Sequence, residues 1–388
     1  MNVALVEMCH GRISPCNSFT PLALLKLSTF YKSKGYNVEY VQTPNLPKAT
    51  PDIICFSIIF MFNANKDVGF IRAYAKKFPN AKIKIGGVAP FFDSEKYKIN
   101  ENCEIHLGLC SEIETLTPDY KLFNKDFSYG FTSRGCINKC AWCVVPKFEG
   151  DIRPIENWET ALGDGHKIFY AFDNNFTACS LEHIDKVLYT IKSKDMRVEF
   201  NQGMDIVEFV KNKELIKIFK KYNCFYKLIF SWDSKRQDKY IEPAFNLLIE
   251  NKLSVKEKLS IYMLYGFNDS LEEITNRCKL LSKFKFSFIV KFMRFKNLDT
   301  GEYNNSWEND LEKKFANFIS SITVNGAPDN SQLYLFENKD VLKILFDLSV
   351  TYKTISKGST RKIALGVLFE KAKQIHLDLQ KQNQKDII

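Results

Sequence analysis

The sequence contains no apolar run approaching the roughly 18–20 uninterrupted residues that a membrane span requires. Its opening residues, MNVALVEMCHGRISP, also lack a basic segment followed by an apolar one. These absences lead us to expect a soluble, cytoplasmic protein with no membrane partner. Cysteine is too sparse for a disulfide scaffold: there are 11 in 388 residues, an odd number, and most stand singly in apolar segments such as IICFSIIF. That distribution suits a reducing compartment. No internal repeat and no low-complexity tract is present, which excludes a repeat architecture.

What the chain does contain is apolar surface. Hydrophobic residues make up 45% and aromatic residues 14%, enough at this length to fill the cores of two or three domains. The net charge of +10 is unevenly spread: residues 1–120 hold 13 basic and 11 acidic side chains, residues 350–388 hold 8 and 3. The basic C-terminal segment is either a solvated helical face or a contact for nucleic acid or another polyanion.

Periodicity along the chain marks an α/β protein. NVALVEM, YNVEYVQ, DIICFSIIF and AKIKIGGVAP read as strands, separated by helical patterns in PLALLKLSTFYKSKG and FIRAYAKKFPN. A strand-helix series of this kind predicts a doubly wound parallel sheet over residues 1–115, followed by a linker over 116–126. From 127 to 298 a second alternation begins. HKIFYAFD, MRVEFNQG, FYKLIFSWD, LSIYMLYGF and FIVKFMRF are strand-like, and LEHIDKVLYTIKSK, NKELIKIFKKY, IEPAFNLLIENK and SLEEITNRCKLLSKF are helix-like. Repeated βα units predict an open or closed parallel barrel with its chemistry at the carboxyl ends of the strands. Residues 299–388 are expected to be mainly helical.

The stretch SRGCINKCAWCVVP packs Cys136, Cys140 and Cys143 into eight residues ahead of the barrel. Three thiolates can converge on one metal centre. A structural zinc site requires four ligands and would have to recruit Cys179, His166 or His183. A ferredoxin-type cluster likewise takes four cysteines, whereas a cluster held by three leaves one iron open to an outside ligand.

This Cys-x3-Cys-x2-Cys spacing before a βα barrel closely resembles the radical S-adenosylmethionine (SAM) superfamily. The Ser-Arg-Gly-Cys approach resembles the branch with an N-terminal cobalamin-binding-like domain, and the resemblance covers about residues 1–295. It implies that Cys136, Cys140 and Cys143 hold a [4Fe-4S] cluster whose open iron is chelated by SAM. It further implies reductive cleavage of SAM to a 5′-deoxyadenosyl radical, with an electron donor such as flavodoxin or ferredoxin. By the same resemblance Trp142 lies beside the adenine and Asp173, Asn174 and Asn175 near the methionine amino group, although the Gly-Gly-Glu form of many members is missing. Asn and Asp after a strand also make ordinary turns. Glu199, Asn201, Gln202 and Asp205 follow on the next strand, Ser231 and Asp233 stand where the family contacts the ribose, and Gly266 in YGFNDS stands near the adenine edge. Lys291 and Arg294 on KFMRF are candidates to face the barrel interior, where each would need an anionic partner; a solvated pair is the alternative.

The resemblance admits a bound cobalamin, and with it a cobalamin-dependent methyltransferase. The Asp-x-His-x-x-Gly motif that supplies a cobalt ligand is absent, His10 and His106 sit in other contexts, and Gly86-Gly87 reads equally as a structural turn. Methylthiotransferases of the superfamily hold a second cluster on N-terminal cysteines, but the surroundings of Cys9, Cys16, Cys55, Cys103 and Cys110 do not match theirs. The contrasting reading is a zinc-containing or nucleic-acid-binding protein without catalysis, suggested by the basic tail and the lysine-rich helix KNKELIKIFKKY.

Overall fold

Strands buried on both faces read as near-continuous apolar runs, as NVALVE and IICFS do. The computed structural model describes residues 1–9, 19–122, 126–253, 259–284 and 288–297, together with Gln374, and places these two strands side by side within a parallel sheet. In chain order the first elements are β1 (Asn2–Glu7), α1 (Leu22–Ser33), β2 (Asn37–Gln42), β3 (Ile53–Ser57), α2 (Ala64–Lys77), β4 (Lys82–Gly86), α3 (Val88–Phe92), α4 (Ser94–Tyr97), β5 (Cys103–Ile105) and α5 (Ser111–Glu114). The five strands are ordered β2-β1-β3-β4-β5, a doubly wound arrangement whose direction reverses between β1 and β3. Strand alternation sends Val3 and Leu5 against Leu24 and Tyr31 of α1. It sends Ala4 and Val6 to the opposite face, against Val68, Ile71 and Tyr74 of α2.

The chain continues through β6 (Phe127–Gly130), β7 (Ser133–Arg134), α6 (Val145–Phe148), β8 (Arg153–Pro154), β9 (Ile168–Ala171), α7 (Leu181–Ser193) and β10 (Arg197–Phe200). β6 and β10 flank β9 in parallel, while β7 and β8 form an antiparallel pair. The remaining elements are β11 (Met204–Asp205), α8 (Ile206–Lys211), α9 (Lys213–Tyr222), β12 (Phe225–Trp232), α10 (Asp238–Glu250), β13 (Leu259–Tyr265), α11 (Leu271–Ser282) and β14 (Ile289–Arg294). β11, β12, β13 and β14 are parallel neighbours in that order. The second sheet counts seven strands. Among the described residues no helix is long and apolar enough to cross a membrane.

Helix signals in the sequence are used as written. Ser180 caps α7 by accepting from the His183 N–H, and Ser270 with Glu273 forms a capping box on α11. The lysine-rich helix α9 buries Leu215, Ile216, Phe219 and Tyr222, leaving Lys217, Lys220 and Lys221 exposed. Its lysines are the wet face of an amphipathic helix.

Two compact units emerge, Met1–Gln202 with Cys224–Tyr226, and Gly203–Asn223 with Lys227–Lys296. The expected linker is not a loose tether within the first unit. Asp119 accepts from Ser28 Oγ and Lys32 Nζ of α1, both at 2.6 Å, and the Tyr120 hydroxyl lies 2.7 Å from the Ala161 carbonyl. The short strands β5 and β6 escape periodicity because three or four residues hold too little of it. Lys291 and Arg294 are three apart on β14, so a period of two turns them to opposite faces, which corrects the expectation of an inward pair. Lys291 Nζ lies 3.4 Å from the hydroxyl of its register partner Tyr262. The helical reading of 299–388 and the basic segment within it lie outside the described residues, apart from Gln374.

Gly87 shows what the IGGVAP turn does. Its φ is +116°, and a Cβ there would stand 2.3 Å from the Ile58 carbonyl oxygen, so β3 and α3 meet through a backbone that only glycine permits. Gly87→Ala should therefore cost about 2–3 kcal/mol in stability, measured by urea denaturation.

Candidate functional site

Cys136, Cys140 and Cys143 occupy the loop that leaves β7 and returns through α6 to β8. The two ends of this loop are in backbone contact. Gly135 has φ +77°, and a Cβ on it would stand 2.1 Å from the Asp151 carbonyl oxygen, so no other residue fits there without displacing the chain. The Cys136 N–H donates to the Gly150 carbonyl at 3.2 Å. Glu149 closes the ring: its carboxylate accepts from Gly135 N at 2.9 Å, Arg134 Nη1 at 3.0 Å and Asn174 Nδ2 at 2.7 Å. Arg134 is buried over the Phe131 ring and also donates to Glu114 at 2.8 Å. Burial alone would raise the Glu114 carboxyl, but the charge and hydrogen bond of Arg134, with the charges of Lys26 and Arg153, together hold the group below the usual carboxylate range.

The loop is rooted on β9. Asp173, just beyond the strand and 1% exposed, accepts from Thr132 N at 3.0 Å and from Thr132 Oγ1 and Ser133 Oγ at 2.6 Å. Burial pushes its pKa up in spite of these bonds. Both Asp173 oxygens are thus engaged at the root of the loop. Asn174 reaches Glu149. Asn175 Nδ2 lies 3.5 Å from Cys136 Sγ, with its carbonyl accepting from Thr177 Oγ1 at 3.4 Å. The Asp173-Asn174-Asn175 triplet is gathered onto the cysteine loop. Trp142 is half-buried between Cys140 and Cys143 in sequence, and Gln202 stands exposed at the end of the first unit's long segment.

All three thiols are half-buried and outside any disulfide. Among the described residues no group of three or more His, Cys, Asp or Glu side chains is arranged to hold a metal ion. The loop carries three thiols within eight residues, the donor type that iron-sulfur clusters take. His166 is bonded to Ser128 at 2.8 Å, His183 stands 3.2 Å from Thr132 Oγ1, and burial pushes the Cys179 thiol up to about 12. Cys55 and Cys224 are pushed up to about 11 by burial and are packed core residues. Cys16 lies outside the described residues.

In the second unit, Ser231 is the second-last residue of β12, Asp233 follows the strand and Gly266 follows β13. Gly266 has φ +78°, and Gly203 approaches Ser231 with room for a Cβ at 3.5 Å. Gln237 fastens the β12 exit by accepting from Asp233 N at 2.7 Å and donating to the Ser231 carbonyl at 3.1 Å. Burial pushes Asp233 up to about 6, against the favourable Leu264 N–H and Arg277 charge. Asp205 is spent as the N-cap of α8, accepting from Val207 N at 2.9 Å.

At the carboxyl edge of the first sheet, Glu7 is 4% exposed and accepts from Tyr40, Gln42 and Thr20. The Tyr129 hydroxyl donates to the Thr20 carbonyl at 3.0 Å, and Phe19 packs edge-on against Phe127, Tyr129, Tyr170 and Phe172. The polar groups that a cofactor would meet beside β1 are thus bonded to one another. No protein-family model matches the chain, and no curated protein matches it in sequence.

Sequence reading did not single out Glu149 or Glu114. The usable signal was a carboxylate beside Gly150, closing a loop that opens with Arg134-Gly135. Glu149→Ala should destabilise the metal-free chain by about 3 kcal/mol, because it strips Arg134 of one of two buried partners and orphans two further donors; denaturation with urea measures this. Asp233 gives a pH test. Its folded pKa lies above the ordinary 3.8, so ionising it opposes folding, a penalty absent below that value and complete above about 6. Asp233→Asn should gain about 1 kcal/mol over the native chain between about pH 5 and pH 7, read from urea midpoints at both pH values.

Proposed function

We propose that the chain is a radical SAM enzyme whose Cys136, Cys140 and Cys143 hold a [4Fe-4S] cluster. The observation that supports this reading is a Cys-x3-Cys-x2-Cys loop rooted by Asp173 at the carboxyl end of a parallel βα strand. Parallel βα sheets carry their chemistry at that end, and three thiolates leave one iron of a four-iron cluster for an outside ligand. When bound, the cluster supplies one electron that cleaves SAM to methionine and a 5′-deoxyadenosyl radical.

The protein's own part is to hold, orient and exclude water. Gly135 and Glu149 keep the ends of the loop together, and Asp173 ties it to β9. In this reading Trp142 lies beside the adenine. Gln202 completes the SAM surroundings, and a flavodoxin- or ferredoxin-class donor delivers the electron. The mutual bonding of Glu7, Tyr40, Gln42 and Thr20 favours a first domain that keeps a cobalamin-binding-like fold without the cofactor.

The test is anaerobic reconstitution with iron and sulfide, addition of SAM and dithionite, and mass spectrometry for 5′-deoxyadenosine. The native chain should form it, and Cys136→Ala, Cys140→Ala and Cys143→Ala should each abolish it; full product from any of the three variants refutes the assignment. S-adenosylhomocysteine together with retained cobalamin would move the reading to methyl transfer. One zinc with no iron or sulfide would replace it with a structural metal site.

A further inference from the structure

Resting on that reading, we propose that Asn175 is a positioning residue that sets the reduction potential of the cluster through a hydrogen bond to Cys136. Two N–H groups are aimed at Cys136 Sγ. One is the backbone N–H of Asn138 at 3.3 Å, supplied by the loop itself whatever side chain stands there. The other is the Asn175 amide at 3.5 Å, brought from beyond the carboxyl end of β9, 39 positions along the chain.

The orientation of this amide is built in. Asn175 is 2% exposed and Thr177 3%, so neither rotates freely toward solvent. The Thr177 hydroxyl donates to the Asn175 carbonyl oxygen at 3.4 Å while the amide NH2 group faces sulfur. The turn that carries Asn175 is in turn held by Asp173 on Thr132 and Ser133 and by Asn174 on Glu149. The donor therefore meets the sulfur on a fixed scaffold and pays little entropy for the contact.

An N–H donor stabilises negative charge on a ligand sulfur, and hydrogen bonds to cluster sulfurs are among the determinants of potential. Reduction of the [4Fe-4S] centre from the 2+ to the 1+ state adds one electron, taken from dithionite in vitro or from a flavodoxin- or ferredoxin-class donor. The added charge strengthens the hydrogen bond, so Asn175 favours the reduced state. Removing its N–H makes the cluster harder to reduce.

The experiment is an anaerobic potentiometric titration of the reconstituted full-length chain, followed by electron paramagnetic resonance, with Asn175→Leu and Thr177→Val beside it. Asn175→Leu keeps the volume and removes the donor. At a fixed potential near the native midpoint it should lower the reduced-to-oxidised ratio about tenfold, equivalent to about 59 mV for one electron. Thr177→Val keeps Asn175 but removes the bond that orients it, and should shift the ratio the same way by less. A native midpoint in either variant with full iron and sulfide content overturns the role of Asn175. A native chain that takes up no iron or sulfide overturns the iron-sulfur reading itself, an outcome distinguishable because there is then no centre to titrate.

Discussion

A buried carboxylate beyond β9 holds the cysteine loop to the sheet. Asp173 is removed from water, a costly placement offset by the three donors of Thr132 and Ser133 from which it accepts. Those donors stand immediately before Arg134, Gly135 and Cys136, so satisfying one carboxylate fixes where the loop begins. Asn174 and Asn175 inherit their positions from the same turn and reach the end of the loop and its first thiol.

The second constraint is the shared charge of Arg134. One guanidinium serves Glu149 at the exit of the loop and Glu114 at the end of the N-terminal domain segment. A buried ion pair adds little net stability compared with apolar packing, but breaking it is expensive because the remaining charge is stranded. Its effect here is geometric. It makes the last residues of the first domain part of the support for the cysteine loop, as the Asp119 contacts to α1 and the Tyr120 contact to Ala161 also do. Asp119 and Tyr120, in a stretch that reads as a tether, are staples inside the first unit.

The second unit repeats the device of spending polar residues after strands on the turns themselves. Gln237 binds both the Asp233 N–H and the Ser231 carbonyl, Asp205 caps α8, and the Phe267 N–H donates to Asp269. Backbone groups leaving a strand lose their ladder partners and need others. Polar residues at such positions are therefore expected whether or not a ligand visits. Asp233 stands apart because burial pushes it up to about 6, where its proton can respond to a neighbouring group near neutral pH.

The long buried strands, the amphipathic helices and the cysteine spacing were determined by the sequence alone, because each is a local pattern read within a dozen residues. The alternation of Val3 and Leu5 with Ala4 and Val6 already required a helix on each side of the sheet. Even the divergence of Lys291 and Arg294 was legible, since three positions on a strand change the face. The tertiary structure alone decided the strand order and the existence of β5 and β6, whose few residues are stabilised by their neighbours. It also decided which of several acidic residues root and close the cysteine loop. Asp173 lies 41 positions from Thr132, and Glu149 lies 25 from Asn174. No local pattern links such pairs; the parallel topology brings them together, and burial makes their bonding obligatory.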